Sequence, residues 1–137
     1  MYSKEFYEQC YLKLRPNGAL ITQSGSPYYA MKAFYCIKKT ISAANFTVQP
    51  LHNQILTMGQ WGWVLGVKNM DPEHLKERLK ELKFDSVETK WINNEAVQHM
   101  LSFGKNFFLD SQDSIQVNTT SEPVLHRYYL KGNWDVY

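Results

Sequence analysis

The chain has 137 residues with a net charge of +2, and 44% of its residues are hydrophobic. This length suits one domain with a core of its own. The mixed charge forms no basic stripe for nucleic acid, no run of about 18 apolar residues could cross a membrane, and no signal-peptide pattern opens the chain.

The first predicted element is a helix over residues 3 to 14. Ser3 can cap its amino terminus, and Glu5 complements the helix dipole. The apolar positions that recur at helical spacing are Phe6, Cys10 and Leu14. Pro16 and the Asn17-Gly18 turn are predicted to end the helix.

A short apolar run, Ala19 to Gln23, predicts a strand that is buried on both faces. A glycine loop follows, and Ser26-Pro27 has the pattern of a helix start, with Ser26 as its cap. Ligands of open α/β sheets bind just outside the carboxyl ends of the strands. Gln23 is therefore predicted to line one wall of a ligand cleft.

The next helix and a strand pair complete the first half of the chain. The predicted inward face of the helix comprises Ala33, Phe34, Ile37, Ile41 and Ala44, and its predicted solvent side comprises Lys32, Lys38 and Lys39. Asn45 is predicted to stop it. Phe46 to Leu51 and Trp61 to Val67 read as strands, with Met58-Gly59-Gln60 in the loop. This short connection predicts an antiparallel hairpin, and the pattern so far is α/β.

The second half reads as helical and irregular. Asp71 is predicted to cap a helix whose apolar stripe is Leu75, Leu79 and Leu82. Residues 84 to 91 are predicted to include a short extended piece. Asn93 or Asn94 can cap a helix that runs to Leu101, with Val97, Met100 and Leu101 inward. The aromatic stretch from Phe103 to Leu109 is expected to dock on the core.

The last part of the chain predicts a polar loop and a short terminal element. Residues 112 to 120 read as a polar loop with a short extended segment, which follows the acidic pair Asp110 and Asp113. That pair is expected to be solvated. Pro123 to Leu130 suits a short helix or a turn.

The chain offers little catalytic chemistry. Its four histidines, His52, His74, His99 and His126, lack metal-ligand spacing, and His52 is expected to have a hydrogen-bonding role. Cys10 and Cys36 are expected to be free thiols in helices, which indicates a reducing compartment. We assign no catalytic residue and no metal ligand.

Three candidates remain for binding a ligand. The amide of Gln23 can donate and accept, which suits a substrate amine or hydroxyl; the alternative is an amide that braces the loop. Tyr28 follows on the same loop and could line the cleft or simply pack. Trp61 lies at a loop–strand junction and could face a ligand or the core.

Five segments together resemble the C-terminal half of spermidine synthases, the polyamine aminopropyltransferases. They are residues 2–7 (YSKEFY), 14–20 (LRPNGAL), 23–28 (QSGSPY), 61–65 (WGWVL) and 117–129 (VNTTSEPVLHRYY). The similarity is greatest to a bacterial branch that is often fused to N-terminal membrane helices. Their order and spacing extend the resemblance over nearly the whole chain.

The resemblance implies a fold and a reaction. The fold would be the C-terminal portion of a Rossmann-like, methyltransferase-type sheet over residues 1–68, followed by a helical or irregular extension over residues 69–137. The enzymes of this family move an aminopropyl group from decarboxylated S-adenosylmethionine to putrescine. Gln23 matches the family glutamine that helps hold the polyamine, and Tyr28 and Trp61 are its candidate neighbours in a substrate-binding wall.

Several family features have no counterpart here. The Gly-rich nucleotide loop, the acidic residue for the ribose and the catalytic Asp lie upstream of the matching region, so we expect a C-terminal fragment that is inactive alone and holds no cofactor. The hairpin Tyr of the family falls near Leu56. We expect a cytoplasmic protein, with membrane anchoring of a longer parent left open.

An unpaired apolar edge at Ala19 to Gln23 further predicts a homo-oligomer. The alternative function is a non-catalytic module that uses the same half-fold for self-association or partner binding.

Overall fold

A three-stranded antiparallel sheet forms the centre of the computed structural model, which describes residues 1–108 and 114–133. Its strands are β1 (Ala19–Gly25), β2 (Thr47–Ile55) and β3 (Gly59–Val67), in the order β1-β3-β2. Both outer strands run antiparallel to β3, so β1 and β2 are parallel to each other. Their carboxyl ends lie at one end of the sheet, which we call the carboxyl edge. The predicted mixed α/β class and the antiparallel hairpin are confirmed.

The hairpin is longer than its sequence pattern indicated. The ladder between β2 and β3 continues without a break to the pair Ile55 and Gly59, so Gly59 and Gln60 belong to β3 and not to a loop. Only residues 56–58 form the turn, where the backbone N–H of Met58 donates to the carbonyl of Ile55 at 3.1 Å. Gly59 has φ +65, which few other residues adopt.

The first helix, α1 (Lys4–Lys13), is confirmed with its predicted cap. The hydroxyl oxygen of Ser3 accepts from the backbone N–H of Phe6 at 3.3 Å. The apolar positions at helical spacing do not mark the buried side by themselves, because Phe6 is exposed and the neighbouring Tyr7 is buried. The Tyr7 hydroxyl reaches Thr22 on β1 at 3.4 Å, so α1 lies against the sheet through this residue.

The second helix, α2 (Met31–Ala43), begins later than predicted. Ser26 does act as a cap, but of the preceding turn: its hydroxyl oxygen accepts from the backbone N–H groups of Tyr28 and Tyr29. The predicted apolar face is confirmed, and Asn45 follows the helix with φ +69. Lys38 is half-buried instead of solvent-facing; burial lowers its pKa.

The sheet has an inner and an outer face. Gly62 and Gly66 of β3 point toward α2, because a Cβ at either would meet Phe34 or Ile41; this is the inner face. Side chains alternate along a strand, so Trp61, Trp63 and the residues paired with them lie on the outer face. Helices α1, α2 and α5 (Leu125–Leu130) belong with the core cluster of the inner side.

The prediction that β1 is buried on both faces was wrong. Ile21 is 58% exposed and Gln23 is exposed. Helix α3 (Pro72–Lys80) packs Leu75 and Leu79 with Val67 at the other end of the outer face, and it leaves the outer side of β1 open.

Two helices from the second half of the chain contact β2 of the hairpin. The caps of α3 and α4 (Asn94–Leu101) are confirmed: the carboxylate of Asp71 accepts from the backbone N–H of His74, and the side chain of Asn93 from that of Ala96. Phe103, Phe107 and Phe108 dock on the core as expected.

Two expected extended pieces are absent from the part of the chain that the structure describes. Residues 84–91 and 114–120 form no strand. Asp110 and Asp113 lie outside the described residues. No helix within residues 1–108 and 114–133 has the length and apolar character needed to span a bilayer. The division of the chain at residue 68 stays a prediction.

Candidate functional site

Gln23 lies on β1 near the carboxyl edge, where the sequence placed it. It pairs with Trp63 of β3, and the register shifts immediately afterwards, so that Gly25 pairs with Gly62. This bulge at Ser24 ends the regular strand. Because directly paired residues share a face, the amide of Gln23 lies on the outer face beside the indole of Trp63, exposed to solvent.

The loop after Gln23 depends on two glycines that touch. Gly25 has φ +72, and a Cβ there would lie 2.8 Å from the Tyr129 hydroxyl. A Cβ on Gly62 would lie 2.8 Å from the carbonyl oxygen of Gly25 and 2.6 Å from the Phe34 ring. Burial raises the pKa of Tyr129 to about 12. The loop therefore packs against tightly filled, uncharged surroundings.

Small polar groups complete the packing around the loop. Ser24 and Ser26 are fully buried, and the Ser24 hydroxyl donates to the carbonyl of Thr22 at 3.0 Å. The backbone N–H of Asn133 donates to the carbonyl of Tyr29 at 2.8 Å. The loop that follows Gln23 is thus hydrogen-bonded to Asn133, the last residue that the structure describes.

Tyr28 lies on the other side of the sheet from Gln23. Its ring is 42% exposed and stands edge-on to His52, with ring centroids 6.1 Å apart, and to Phe107 at 5.3 Å. His52 pairs with Gly62 on the inner face. The structure therefore does not place Tyr28 against Gln23.

Trp61 shares the outer face with Gln23. It is half-buried, and it lies two residues before Trp63 along β3. Its indole N–H is buried and has no hydrogen-bond partner among the described residues. Gln23, Trp61 and Trp63 thus lie on one face of the sheet near its carboxyl edge, and we call this set of one amide and two indoles the amide–indole wall.

Sequence reasoning missed Trp63 and the partners of His52. The signal for Trp63 was present, because two tryptophans at i and i+2 of one strand share a face. His52 is only 5% exposed and contacts Ser102, fifty residues away; no local pattern indicates such a pairing.

The hairpin turn projects beyond this edge. Leu56 is fully exposed at its tip and Met58 is partly exposed. No phenol occupies the tip, where the family resemblance places a Tyr. Within residues 1–108 and 114–133, no group of three or more metal-ligating side chains is present.

Comparisons with known proteins agree with this architecture. Residues 1–78 match the Spermine/spermidine synthase domain. A polyamine aminopropyltransferase of Shewanella oneidensis is 31% identical over 132 residues, which cover 96% of this chain and 22% of that protein. Polyamine aminopropyltransferase 2 of Aquifex aeolicus is 36% identical over 134 residues, with 96% of this chain and 24% of that protein covered.

Solved structures show the same fold. Spermidine synthase from Thermotoga maritima has a TM-score of 0.60 at 21% identity, and the match covers 84% of this chain and 39% of that one. This likeness places the chain in the Rossmann-like, methyltransferase-type fold. The chain spans about a quarter of the length of the curated relatives it matches.

Proposed function

The chain belongs to the spermine/spermidine synthase family, and from that premise we propose that it forms the amine-acceptor side of a polyamine aminopropyltransferase. The observation that carries the proposal is the amide–indole wall at the carboxyl edge of the sheet. This edge is where ligands of open α/β sheets bind.

The proposed reaction transfers an aminopropyl group from decarboxylated S-adenosylmethionine to putrescine or a similar amine. The lone pair of the amine attacks the methylene carbon next to the sulfonium, an N–C bond forms, and the C–S bond breaks with its electrons left on a neutral thioether. The new ammonium then loses a proton to a base. Positioned groups that aim the amine at the carbon accelerate such a step.

The wall suits the acceptor in two ways. The Gln23 carbonyl oxygen can accept a hydrogen bond from an amine N–H. The indole faces of Trp61 and Trp63 attract a cationic chain, an interaction of about 0.5–2 kcal/mol per ring. Tyr28, on the inner side of the same loop, would meet the ligand only where it passes over the carboxyl edge.

The donor site and the proton acceptor are proposed to come from outside these 137 residues. The Shewanella oneidensis and Aquifex aeolicus relatives are about four times as long as the segments of them that match this chain. The chain alone is then predicted to be inactive and to bind decarboxylated S-adenosylmethionine weakly. Tight binding of that donor by the chain alone, measured by calorimetry, would argue against this division of the site.

The side of β1 that lies away from β3 is proposed to pair with a further strand. Within residues 1–108 and 114–133, β1 has a strand neighbour only on its β3 side, and its seven residues include no charge. Such an edge favours association. We expect a homo-oligomer of the isolated chain in light scattering across a concentration series, and a clean monomer at all concentrations would contradict this.

A chimera tests the proposed function directly. Residues 1–137 would replace the matching segment of the Shewanella oneidensis relative, and product would be followed with putrescine and decarboxylated S-adenosylmethionine. We expect aminopropyl transfer, and a loss of about tenfold or more in kcat/KM for the amine on Gln23→Ala. Gln54→Ala, at the exposed side of the hairpin, is the matched control. A folded chimera that transfers nothing would refute the proposal.

A further inference from the structure

His52 is a buried junction between three parts of the chain. It belongs to β2, and both of its ring nitrogens have partners: Nδ1 lies 2.9 Å from the side-chain oxygen Oε1 of Gln60, and Nε2 lies 2.8 Å from the carbonyl oxygen of Ser102. Its ring also lies 4.4 Å from that of Phe103, measured between centroids. The junction thus joins both arms of the hairpin to the segment that follows α4.

The contact with Ser102 requires a proton on Nε2. A carbonyl oxygen can only accept, so Nε2–H donates to Ser102. In the orientation that the structure shows, the oxygen of Gln60 accepts from an Nδ1–H; after a half-turn of the amide, its NH₂ group donates to an unprotonated Nδ1 instead. An imidazole that is buried and hydrogen-bonded through both ring nitrogens is held in one orientation, which makes it a rigid support for its neighbours.

Two candidate ligand-binding residues lie next to His52 or to its partner Gln60: they are Tyr28 and Trp61. Tyr28 stands edge-on to the His52 ring, with 6.1 Å between centroids. Gln60 directly precedes Trp61, and side chains alternate along β3. Gln60, which contacts His52, therefore lies on the inner face, and Trp61, the next residue of β3, lies on the outer face. The His52 side chain thus links candidate residues on the inner and outer faces of the sheet.

We propose that His52 is a positioning residue, which through Gln60 and its own ring holds Trp61 and Tyr28 in place for the amine acceptor. The role in acceptor binding rests on the proposed function. The structural part of the inference, that His52 orients these two side chains, does not.

The first experiment uses the full chain and needs no activity. Long-range ¹⁵N–¹H NMR of the imidazoles should show His52 as the Nε2–H tautomer. His52→Phe keeps an aromatic ring but removes both hydrogen bonds, and Gln60→Leu removes one bond without touching the buried ring. Each variant should shift the Trp61 indole and Tyr28 ring signals, and neither should shift the indole of Trp91, which is 82% exposed.

The second experiment uses the chimera described above. Because Trp61 and Tyr28 would bind the amine in its ground state, both variants should raise the KM for putrescine by about tenfold while kcat stays within about twofold. His74→Gln, on an exposed face of α3, should leave both constants unchanged. The double variant, with both His52→Phe and Gln60→Leu, should raise the KM no more than the worse single variant does, since both substitutions remove the same contact.

The outcomes separate the two proposals. Unmoved Trp61 and Tyr28 signals, or an Nδ1–H tautomer, overturn the inference whether or not the chimera is active. If His52→Phe does not fold, Gln60→Leu decides by the same signals. Moved signals with an unchanged KM overturn the role in acceptor binding, and an inactive chimera refutes the proposed function while the NMR result stands.

Discussion

Replacement of Gly62 by alanine should be among the most damaging single-methyl changes in this chain. A Cβ at this position would lie 2.6 Å from the Phe34 ring and 2.8 Å from the carbonyl oxygen of Gly25. Neither neighbour can withdraw easily, because Phe34 is fully buried and the carbonyl belongs to the backbone of the paired strand β1.

The magnitude follows from the two contacts. Overpacking of a filled core costs about 1–3 kcal/mol, and a fixed backbone atom places Gly62→Ala at the upper end, at about 3 kcal/mol. Gly66→Ala should cost about 1 kcal/mol, since its nearest atoms are side-chain carbons of Ile41 at 3.0 Å and Phe46 at 3.2 Å. For a domain of this size, the larger loss lowers Tm by about 10 °C.

The assay is urea unfolding, followed by tryptophan fluorescence, with the slope m compared between variants. Gly104→Ala is the matched control, because a Cβ there meets nothing within 4 Å; its free energy of unfolding should stay within about 0.5 kcal/mol of the parent. If Gly62→Ala were as stable as Gly104→Ala, the close approach of β1 and β3 would be refuted.

Three further outcomes are expected. Asn118→Ala should cost about 2–4 kcal/mol in urea unfolding, because its side chain accepts from the Leu125 N–H and donates to the Tyr2 carbonyl in a buried position; a cost below about 1 kcal/mol would contradict this. The pKa of Glu5 is lowered from 4.5 to about 2, first by its own backbone N–H and then by Thr120, so its contribution to stability is complete above pH 4.5 and is lost toward pH 2. Glu5→Gln should flatten the fall in Tm between these pH values, and an unchanged fall would exclude Glu5 as its source. Burial raises the pKa of Cys36 to about 11, so iodoacetamide at pH 8 should modify Cys10 first in native protein; equal rates would show that the Cys36 site is open.

Local signals predicted most of the elements. Ser3, Asp71 and Asn93 each have a side-chain oxygen that accepts from a backbone N–H three residues later, which is the geometry that favours these residue types at a helix start. The apolar face of α2 was likewise predictable, since its period matches 3.6 residues per turn.

Where two local signals competed, the sequence pattern misled. Ser26-Pro27 is typical of a helix start, yet the Ser26 hydroxyl caps only a single turn and α2 begins at Met31. A cap motif specifies a turn of backbone, and only the residues that follow determine whether a helix continues from it. The burial of β1 was mispredicted for a different reason: an apolar run shows what can be buried, while exposure of Ile21 depends on what covers it.

Contacts between distant segments carried no signal at all. His52 meets Ser102, and Asn118 meets Tyr2, over separations of 50 and 116 residues. Asn118 lay in a stretch that read as a polar loop, although it is only 6% exposed. A single buried amide with several partners looks, in sequence, the same as a solvated one.

The proposed function carries a charge requirement that the candidate site alone does not meet. From Ala19 to Ala30 and from Asn53 to Trp61, the chain has no Asp or Glu. An acceptor diamine bears positive charge, and the wall offers it only amide dipoles and indole faces, each worth about 1 kcal/mol or less when exposed. Interactions of this size can orient an amine but give only a small preference for a dication over a neutral diol of the same length. Under the proposed function, strong selectivity for charge is therefore expected to come from carboxylates outside these two segments. If the proposed function holds, the chimera should reject 1,4-butanediol as a competitor of putrescine through residues of its grafted partner and not through Gln23, so Gln23→Ala should weaken amine use without lowering that discrimination.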